Sequence, residues 1–482
     1  MPARSVVAMN QQGVRWTAEQ VLALAPDAAS RRAGSGLGLP GPWSETGGSG
    51  TGAVWGLCRG SDGRPYRTVV DSTGPAYRCS CPSRRAPCRH ALGLLLLWAG
   101  GAGAVPDAEA PGWAEEWLAG RSSPARRREE RAAHGGPSTS AADTTAADTT
   151  AADTTAGDAG AGDPGAARRR AERRAARITA GARELEQRLA DLLRGGLASA
   201  AQSGYGPWEE TAARMVDAQA PGLAARVREL GALAGSGQGW PARLLEESAL
   251  VHLLDRAWLE IDRLPEPLAA VVRTRVGLTA TAGGPAVRDD WLVLAQYDSA
   301  DAKLTTRRIW LRGRETGRTA LLLSYGAAGR APGLALPPGL VIDAEIVPYG
   351  GAGRLRAELR ERFGTPVPVK APPPGGSTEE ALAAYGRALR DDPWLDAWPV
   401  TLEDVVPVPS DDGWQLADAR GPSALPVAPA AGFRPGLWRL LAVSGGGPVT
   451  VFGECGHRGF APLAAWSGDS PETVALTSTA LS

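Results

Sequence analysis

The sequence predicts a multidomain α+β protein with a small ββα-like module at the N-terminus, a disordered linker, a helical middle region and a β-rich C-terminal half. Its 482 residues suggest about three folded units at roughly 150 residues per domain. The spacing of apolar residues changes twice along the chain, from short strand-like runs to three- and four-residue steps and back again. A low-complexity stretch separates the first two regions, so we expect separate domains on either side of it.

We divide the chain into five segments on this basis. They are the N-terminal module 1–120, the linker 121–165, the helical region 166–265, a β-rich domain 266–370 and an α+β C-terminal region 371–482.

The N-terminal module contains the signals of a short helix, three strands and a second helix. Thr17 and Gln20 have the spacing of a capping box, which predicts a helix starting at Ala18 and ending near Leu24. Ser61-Asp-Gly63 has the composition of a hairpin turn between two of the strands. The predicted strands are Ala53–Cys58, Tyr66–Asp71 and Ala76–Cys81, and the second helix is Ala91–Trp98.

The linker has a repetitive, polar composition. Ala-Ala-Asp-Thr-Thr occurs three times in succession between Ala141 and Thr155. Large apolar side chains are almost absent, so burial cannot offset the entropy cost of ordering the segment. We therefore predict a solvated, disordered tether.

The rest of the chain is helical first and β-rich afterwards. An apolar stripe predicts a helix through Ile178, Ala182, Leu185, Leu189, Leu192 and Leu197. Further helices are predicted at 208–218, 223–233, 241–262 and 378–390, and strands at 291–297, 304–311, 319–325 and 340–347. A hairpin is predicted from 438–443 paired with 449–454.

Charge and cysteine content exclude several classes of protein. The 52 basic and 52 acidic residues give zero net charge, so binding to a polyanion requires a local basic patch. Neither a secretory signal nor an apolar run of membrane-spanning length is visible, which favours a cytoplasmic location. Five cysteines, an odd number, indicate metal ligands or reactive thiols rather than a disulfide framework.

The strongest motif is Cys79-Ser-Cys81-Pro-Ser-Arg-Arg-Ala-Pro-Cys88-Arg-His90. Three thiolates and one imidazole form a closed tetrahedral set for Zn²⁺, with no open position for catalysis. Six residues between Cys81 and Cys88 allow the chain to loop back, so one structural zinc ion is predicted at these four residues. The alternative is a redox-active group of thiols, for which a C-x-C spacing is a poor match.

This motif, with strands before it and a leucine-rich helix after it, resembles the SWIM zinc finger, and the stretch from Arg15 to Trp98 is similar to bacterial SWIM-type proteins. Trp208-Glu-Glu and the run from Met215 to Leu223 resemble the helical region of the same family. The resemblance implies that Cys79, Cys81, Cys88 and His90 are the zinc ligands. It also implies DNA or protein binding, and an association with MoxR-like AAA ATPases and von Willebrand A-domain proteins.

Arginines surround the predicted zinc site. Arg78, Arg84, Arg85 and Arg89 either compensate the net negative charge of a three-thiolate site or contact the phosphates of a nucleic acid. A second cluster, Arg168–Arg170 with Arg173, Arg174 and Arg177, is interpreted as a solvated helix start or as a patch for an acidic partner.

Catalytic motifs are not found. There is no P-loop and no G-x-S-x-G elbow, so we predict no catalytic residues and no enzyme activity. His252 and Asp255 are interpreted as a capped or exposed helix face, with a metal or acid/base pair as the alternative. Cys58 is interpreted as a buried small hydrophobe, with a role as an alternative metal ligand left open, and Cys455-Gly-His457 as a hairpin loop. The leading hypothesis is a zinc-binding adaptor whose finger contacts a protein. The alternative is a nucleic-acid-binding protein that uses the arginines around the finger.

Overall fold

The computed structural model describes most of the two ends of the chain and its helical middle. It describes residues 15–26, 28–49, 52–60, 63–72, 76–83, 85–101, 103–119, 164–202, 204–278, 283–300, 304–327, 332–350, 355–410, 413–428, 434–468 and 470–477. The chain forms two compact units, one made of Met1–Arg121 together with Thr281–Ser482 and the other of Ser122–Ala280. The predicted linker 121–165 lies outside the described residues except for its last two positions.

The N-terminal module is a four-stranded antiparallel sheet with helices on both faces. Its elements are α1 (Ala18–Leu22), α2 (Ala28–Ser35), β1 (Trp43–Gly48), β2 (Ala53–Cys58), β3 (Tyr66–Asp71), β4 (Ala76–Cys79), α3 (Arg89–Ala99) and the helical residues 112–119, called α4. The strands pair in chain order. Thr17 and Gln20 form the predicted capping box at α1. β2 and β3 have the predicted bounds, whereas α2 and β1 lie in a glycine-rich stretch for which no element was predicted.

The core of this module lies between the sheet and α3. Leu92, Leu94 and Leu95 of α3 are fully buried, because the helix is apolar on nearly every face. Gly93 allows close packing, since a Cβ atom there would lie 2.5 Å from Cβ of Leu37. The opposite face of the sheet is covered by α4, whose Ala114 packs in the same cluster as Trp55 and Val69.

The second unit is a bundle of helices. They are α5 (Pro164–Gly195), α6 (Ala198–Gln202), α7 (Gly206–Asp217), α8 (Pro221–Leu233), α9 (Trp240–Leu259) and α10 (Glu266–Val276). The apolar stripe predicted on α5 is buried at Ile178, Ala182, Leu185 and Leu189.

Helix α10 lies at the start of the segment 266–370, for which only strands were predicted. Its valines have high β propensity, but Ala269, Val272 and Val276 recur at helical spacing and are buried in the fold. The first strand after this helix begins only at Val287.

Five strands after the bundle form a closed barrel. They are β5 (Val287–Ala300), β6 (Leu304–Gly313), β7 (Thr319–Ala327), β8 (Leu340–Pro348) and β9 (Arg356–Pro368). The order around the barrel is β5-β6-β7-β9-β8, and β7 pairs with β9 in parallel while the other pairs are antiparallel. This is the topology of the OB-type barrel. β9 was not predicted, because its charged residues conceal the alternation of buried and exposed positions.

The C-terminal region is a six-stranded antiparallel sheet with two helices. It contains α11 (Thr378–Asp391), β10 (Ala397–Ser410), β11 (Gly413–Asp418), β12 (Ala424–Pro426), α12 (Arg434–Ser444), β13 (Val449–Gly456), β14 (Gly459–Ser467) and β15 (Val474–Ala475), with sheet order β12-β11-β10-β13-β14-β15. The hairpin predicted from 438–443 is wrong. That run forms α12, and β13 pairs with β10 and β14 instead. An apolar run this short fits a helix or a strand equally well.

The N-terminal module and the barrel share part of their core. Leu340, the first residue of β8, is buried in the same cluster as Trp16 and Leu92. Nε2 of Gln20 donates a hydrogen bond to the Pro338 carbonyl oxygen at 3.4 Å. The module is therefore fixed to one end of the barrel by its α1 side. In the part of the chain that the structure describes, no helix combines the length and the apolar character that crossing a membrane requires.

Candidate metal centre

The structure brings Cys79, Cys81, Cys88 and His90 together. Their potential ligand atoms all lie within 4.8 Å of one another. The Sγ atom of Cys79 is 3.7 Å from Nδ1 of His90, and the Sγ atom of Cys88 is 4.0 Å from the same nitrogen. Three sulfurs and one nitrogen at this separation match the donor set of a tetrahedral structural zinc site.

Two secondary-structure ends place these four residues. Cys79 is the last residue of β4 and pairs with Thr68 of β3, whose Oγ1 lies 3.2 Å from its sulfur. Cys81 lies in the bend that follows. Cys88 precedes the first residue of α3 and His90 lies in its first turn, and both are buried. Burial of the apolar faces of α3 therefore fixes the second pair of ligands against the first.

The ring of His90 is held between two neighbours. The Tyr66 ring lies 5.0 Å from it, centroid to centroid, and Nε of Arg89 lies 3.4 Å from its Nε2 atom. Nδ1 is the nitrogen that faces the sulfurs. A metal ion bound to Nδ1 places the ring proton on Nε2, which then no longer accepts a hydrogen bond from Arg89.

The cysteines share protons when no cation is bound. A hydrogen bond to Cys88 raises the pKa of Cys79 to about 12, and burial adds to the effect. The same hydrogen bond lowers the pKa of Cys88. Burial raises the pKa of Cys81. The site therefore holds thiol protons that a cation must displace, which couples metal binding to proton release.

Two regions of the chain match known protein domain families. Residues 69–99 match the SWIM zinc finger, and residues 173–276 match the SWIM-associated four-helix bundle domain. No curated protein and no solved structure matches the chain.

These findings define a zinc finger protein whose cysteine and histidine cluster fits one zinc ion. More narrowly, the chain contains a SWIM zinc finger and the helical bundle domain associated with it. SWIM fingers are interaction modules, and neither of the two matched domains is of a typically catalytic type. The barrel and the C-terminal sheet lie outside both matches.

The four arginines predicted near the finger have different positions. Arg78, Arg85 and Arg89 are exposed, and Arg84 lies outside the described residues. Arg85 donates from Nη1 to Oγ of Ser30 at 3.2 Å, so it joins the finger loop to α2.

Three further exposed arginines lie in the same module and were missed. Arg59, Arg64 and Arg67 are exposed on β3 or on the turn between β2 and β3. The local composition of the sequence contains a signal for these basic residues. Between residues 53 and 99 the sequence has seven arginines against two acidic residues, both aspartates, although the whole chain has zero net charge. The finger is thus a strongly basic module in a neutral protein.

The other residues considered in the sequence analysis are two cysteines and the pair His252 and Asp255. Cys58 is fully buried, as predicted, and Cys455 precedes a tight turn in which Gly456 pairs with Gly459, so the hairpin is confirmed. The interpretation of Asp255 is wrong. His252 is exposed, but Asp255 has no solvent exposure, and neither carboxylate oxygen has a hydrogen-bond partner within the described structure. Burial raises its pKa to about 8.

Proposed function

We propose that this protein is a non-enzymatic adaptor whose zinc-bound finger contacts a protein partner. The observation that carries the proposal is the donor set of the metal centre. We assign Cys79, Cys81, Cys88 and His90 as the ligands, and four protein ligands leave zinc no position for a substrate or a water nucleophile. Zinc bound in this way stabilises the fold of the finger and takes no part in a reaction.

The finger loop suits recognition because it is exposed while its base is held rigidly. Pro82, Ser83 and Ala86 are exposed between the two ligand pairs. The module behind them packs on the barrel through Leu340 and the Gln20 hydrogen bond. A loop fixed at both ends loses little conformational entropy when it binds.

The helical bundle offers an adaptor a second contact surface. A partly open cavity of about 220 Å³ lies in this unit, lined mainly by apolar side chains that include Leu189, Leu192 and Trp208. Tyr205 and Leu193 are also exposed on the same bundle. Because the bundle is a separate compact unit, we propose that finger and bundle engage different surfaces.

A MoxR-like AAA ATPase and a von Willebrand A-domain protein are the partners that the resemblance suggests for a first test. The proposed location is the cytoplasm. None of the five described cysteines forms a disulfide bond, which is the usual state in a reducing compartment. We also retain the five-segment division of the chain as a proposal.

The test is binding of the full chain to each candidate partner by calorimetry. We expect the double variant Pro82→Glu, Ala86→Glu to lower affinity at least about tenfold, because it places two charges on the contact loop, while zinc content stays at one per chain. Val367→Glu, an exposed position on β9, is the control and keeps wild-type affinity. Wild-type affinity in the loop variant, or a turnover activity lost on mutating residues outside the finger, contradicts the proposal.

Nucleic-acid binding is the second candidate function, and the charge of the finger favours it. Arg59, Arg64, Arg67, Arg78 and Arg89 are exposed, and among the residues that the structure describes none of them is ion-paired with a carboxylate. Arg67 and Arg78 lie on the same face of the sheet, because Val69, two residues after Arg67, pairs with Arg78. Such a face can follow a phosphate backbone.

Salt dependence tests this candidate. Arg67→Ala with Arg78→Ala should weaken binding to a duplex DNA and lower the slope of log affinity against log salt by about two. Arg360→Ala is a matched control, because this arginine pairs with Glu358 at 3.2 Å on the barrel. If duplex and single-stranded DNA both fail to bind at low salt, the nucleic-acid candidate is excluded and the adaptor proposal is unaffected.

A further inference from the structure

The barrel has a cavity that neither matched domain includes. A partly enclosed space of about 400 Å³ lies where β7 and β9 meet. Those two strands pair over only two residue positions, Leu321 with Arg356 and Leu322 with Ala357. Longer pairing would close the wall, so the short parallel pair leaves the interior accessible from this side.

The walls of the cavity are apolar and aromatic. Trp291, Ala320 and Ile346 line it from the barrel interior, and Ala357 lines it from β9. Trp398 of β10 forms another part of the lining. Trp291 is fully buried, and its indole nitrogen donates to the Ala344 carbonyl oxygen at 3.0 Å. The indole is therefore held in place by the fold, whether or not the cavity is filled.

One cation lies at the rim. Arg318 lines the cavity from the start of β7 and is exposed. No carboxylate of the described residues is ion-paired with its guanidinium group, whereas Arg314 in the same turn lies 4.0 Å from Asp290. The rim therefore has a positive charge available to a ligand.

We propose that this barrel mouth binds a small, flat, apolar molecule with one acidic group. The volume lies within the range of small-molecule sites, and the mouths of β-barrels are common places for them. The apolar body lies against the Trp291 and Trp398 side of the cavity, and the acidic group pairs with Arg318 at the rim. The proposal is independent of the zinc finger and of its partner.

Two fluorescent probes that differ in one group test it with the zinc-loaded full chain. 1-Anilinonaphthalene-8-sulfonate is the acidic probe, and N-phenyl-1-naphthylamine is its neutral counterpart. We expect the acidic probe to bind about tenfold more tightly, with tryptophan emission quenched by energy transfer. Arg318→Gln should remove that tenfold preference and leave the affinity of the neutral probe within about twofold. Arg314→Gln is the control and should keep the preference.

Filling the cavity locates the bound probe. Ala320→Leu and Ala357→Leu each place a larger side chain in the cavity, and we expect either variant to abolish binding of both probes. Trp398→Phe keeps an aromatic wall and should reduce energy transfer without abolishing binding, so the test stands even if both leucine variants fail to fold. Probe binding that is unchanged in the folded leucine variants, or an acidic preference that survives Arg318→Gln, overturns the proposal.

Discussion

The finger module and the helical bundle are stabilised in opposite ways. The finger has short strands, and its exposed ligand loop is bounded by four side chains whose arrangement fits one zinc ion. The bundle has long helices with continuous apolar stripes, and within the part of it that the structure describes no cluster of metal-ligating side chains occurs. An exposed loop has little apolar surface of its own to bury and gains order from a metal cross-link, whereas a helical bundle of about 100 residues folds by packing alone.

The bundle also contains an energetically unfavourable buried group. Asp255 lies in the core stripe of α9 beside Val251 and Leu254, with no solvent exposure and no hydrogen-bond partner in the described structure. Its carboxyl stays protonated because ionisation inside an apolar core is costly.

Removing a zinc ligand should have the largest effect and should affect the finger alone. Cys88→Ser removes a buried thiolate, and zinc contributes on the order of 10 kcal/mol to the folding of small finger modules. We expect zinc content to fall from one to near zero per chain by mass spectrometry, with protease cleavage appearing in residues 15–119. Cys455→Ser, at a buried cysteine far along the chain, is the control and keeps the zinc. Full zinc content in Cys88→Ser means that the ligand assignment is wrong.

The second prediction is that a change in the core of the bundle affects the bundle and not the finger. Leu223 of α8 is fully buried, so Leu223→Ala should lower the free energy of unfolding of this unit by about 2–5 kcal/mol through lost contacts and a cavity. Hydrogen exchange of peptides from α8 and α9 measures the change, and zinc content should not move. Leu253→Ala, at a half-exposed position, should change it by less than about 0.5 kcal/mol. Loss of zinc in Leu223→Ala contradicts the independence of the two regions.

The third prediction concerns the pH dependence of the stability of the bundle. The folded pKa of Asp255 is about 8, and an unfolded aspartate ionises near 4. Between these values the folded state holds one more proton, so the stability of the bundle falls as pH rises, by up to about 1.4 kcal/mol per pH unit. Asp255→Asn removes this dependence.

Hydrogen exchange of α9 peptides, compared between Asp255→Asn and wild type at each pH, measures this pH dependence of stability. We expect nearly equal protection at pH 4 and increasingly greater protection in Asp255→Asn as the pH rises to 8. Glu186→Gln is an informative companion, because the charge of Glu186 also raises the pKa of Asp255. Equal protection at both pH values shows that the carboxyl finds a partner in solution.

Elements with a strong local signal were predictable from the sequence. The bounds of β2 and β3 are exact because turn residues delimit both strands, and α11 begins where Ser377 caps it. The metal centre was predictable because all four residues lie within twelve positions, so a local loop suffices to bring them together.

Elements whose identity depends on distant partners were not predictable. α12 was mistaken for a strand, because only the sheet against which it packs decides between helix and strand for so short a run. β9 was missed because its buried and exposed residues do not alternate regularly in the sequence. Its character as a strand becomes evident only from its pairing with β8. The burial of Asp255 shows the same limit for a site residue, because helical periodicity alone did not distinguish the core face of α9 from its exposed face.

The sequence by itself determined the finger, its single zinc ion, the helical middle region and the β-rich half, since each depends on residues close together in the chain. Tertiary structure decided the rest. It joined the N-terminal module to the barrel through Leu340 and left a cavity where β7 and β9 pair over only two positions. These features depend on contacts between segments far apart in sequence, and such contacts have no local pattern from which to read them.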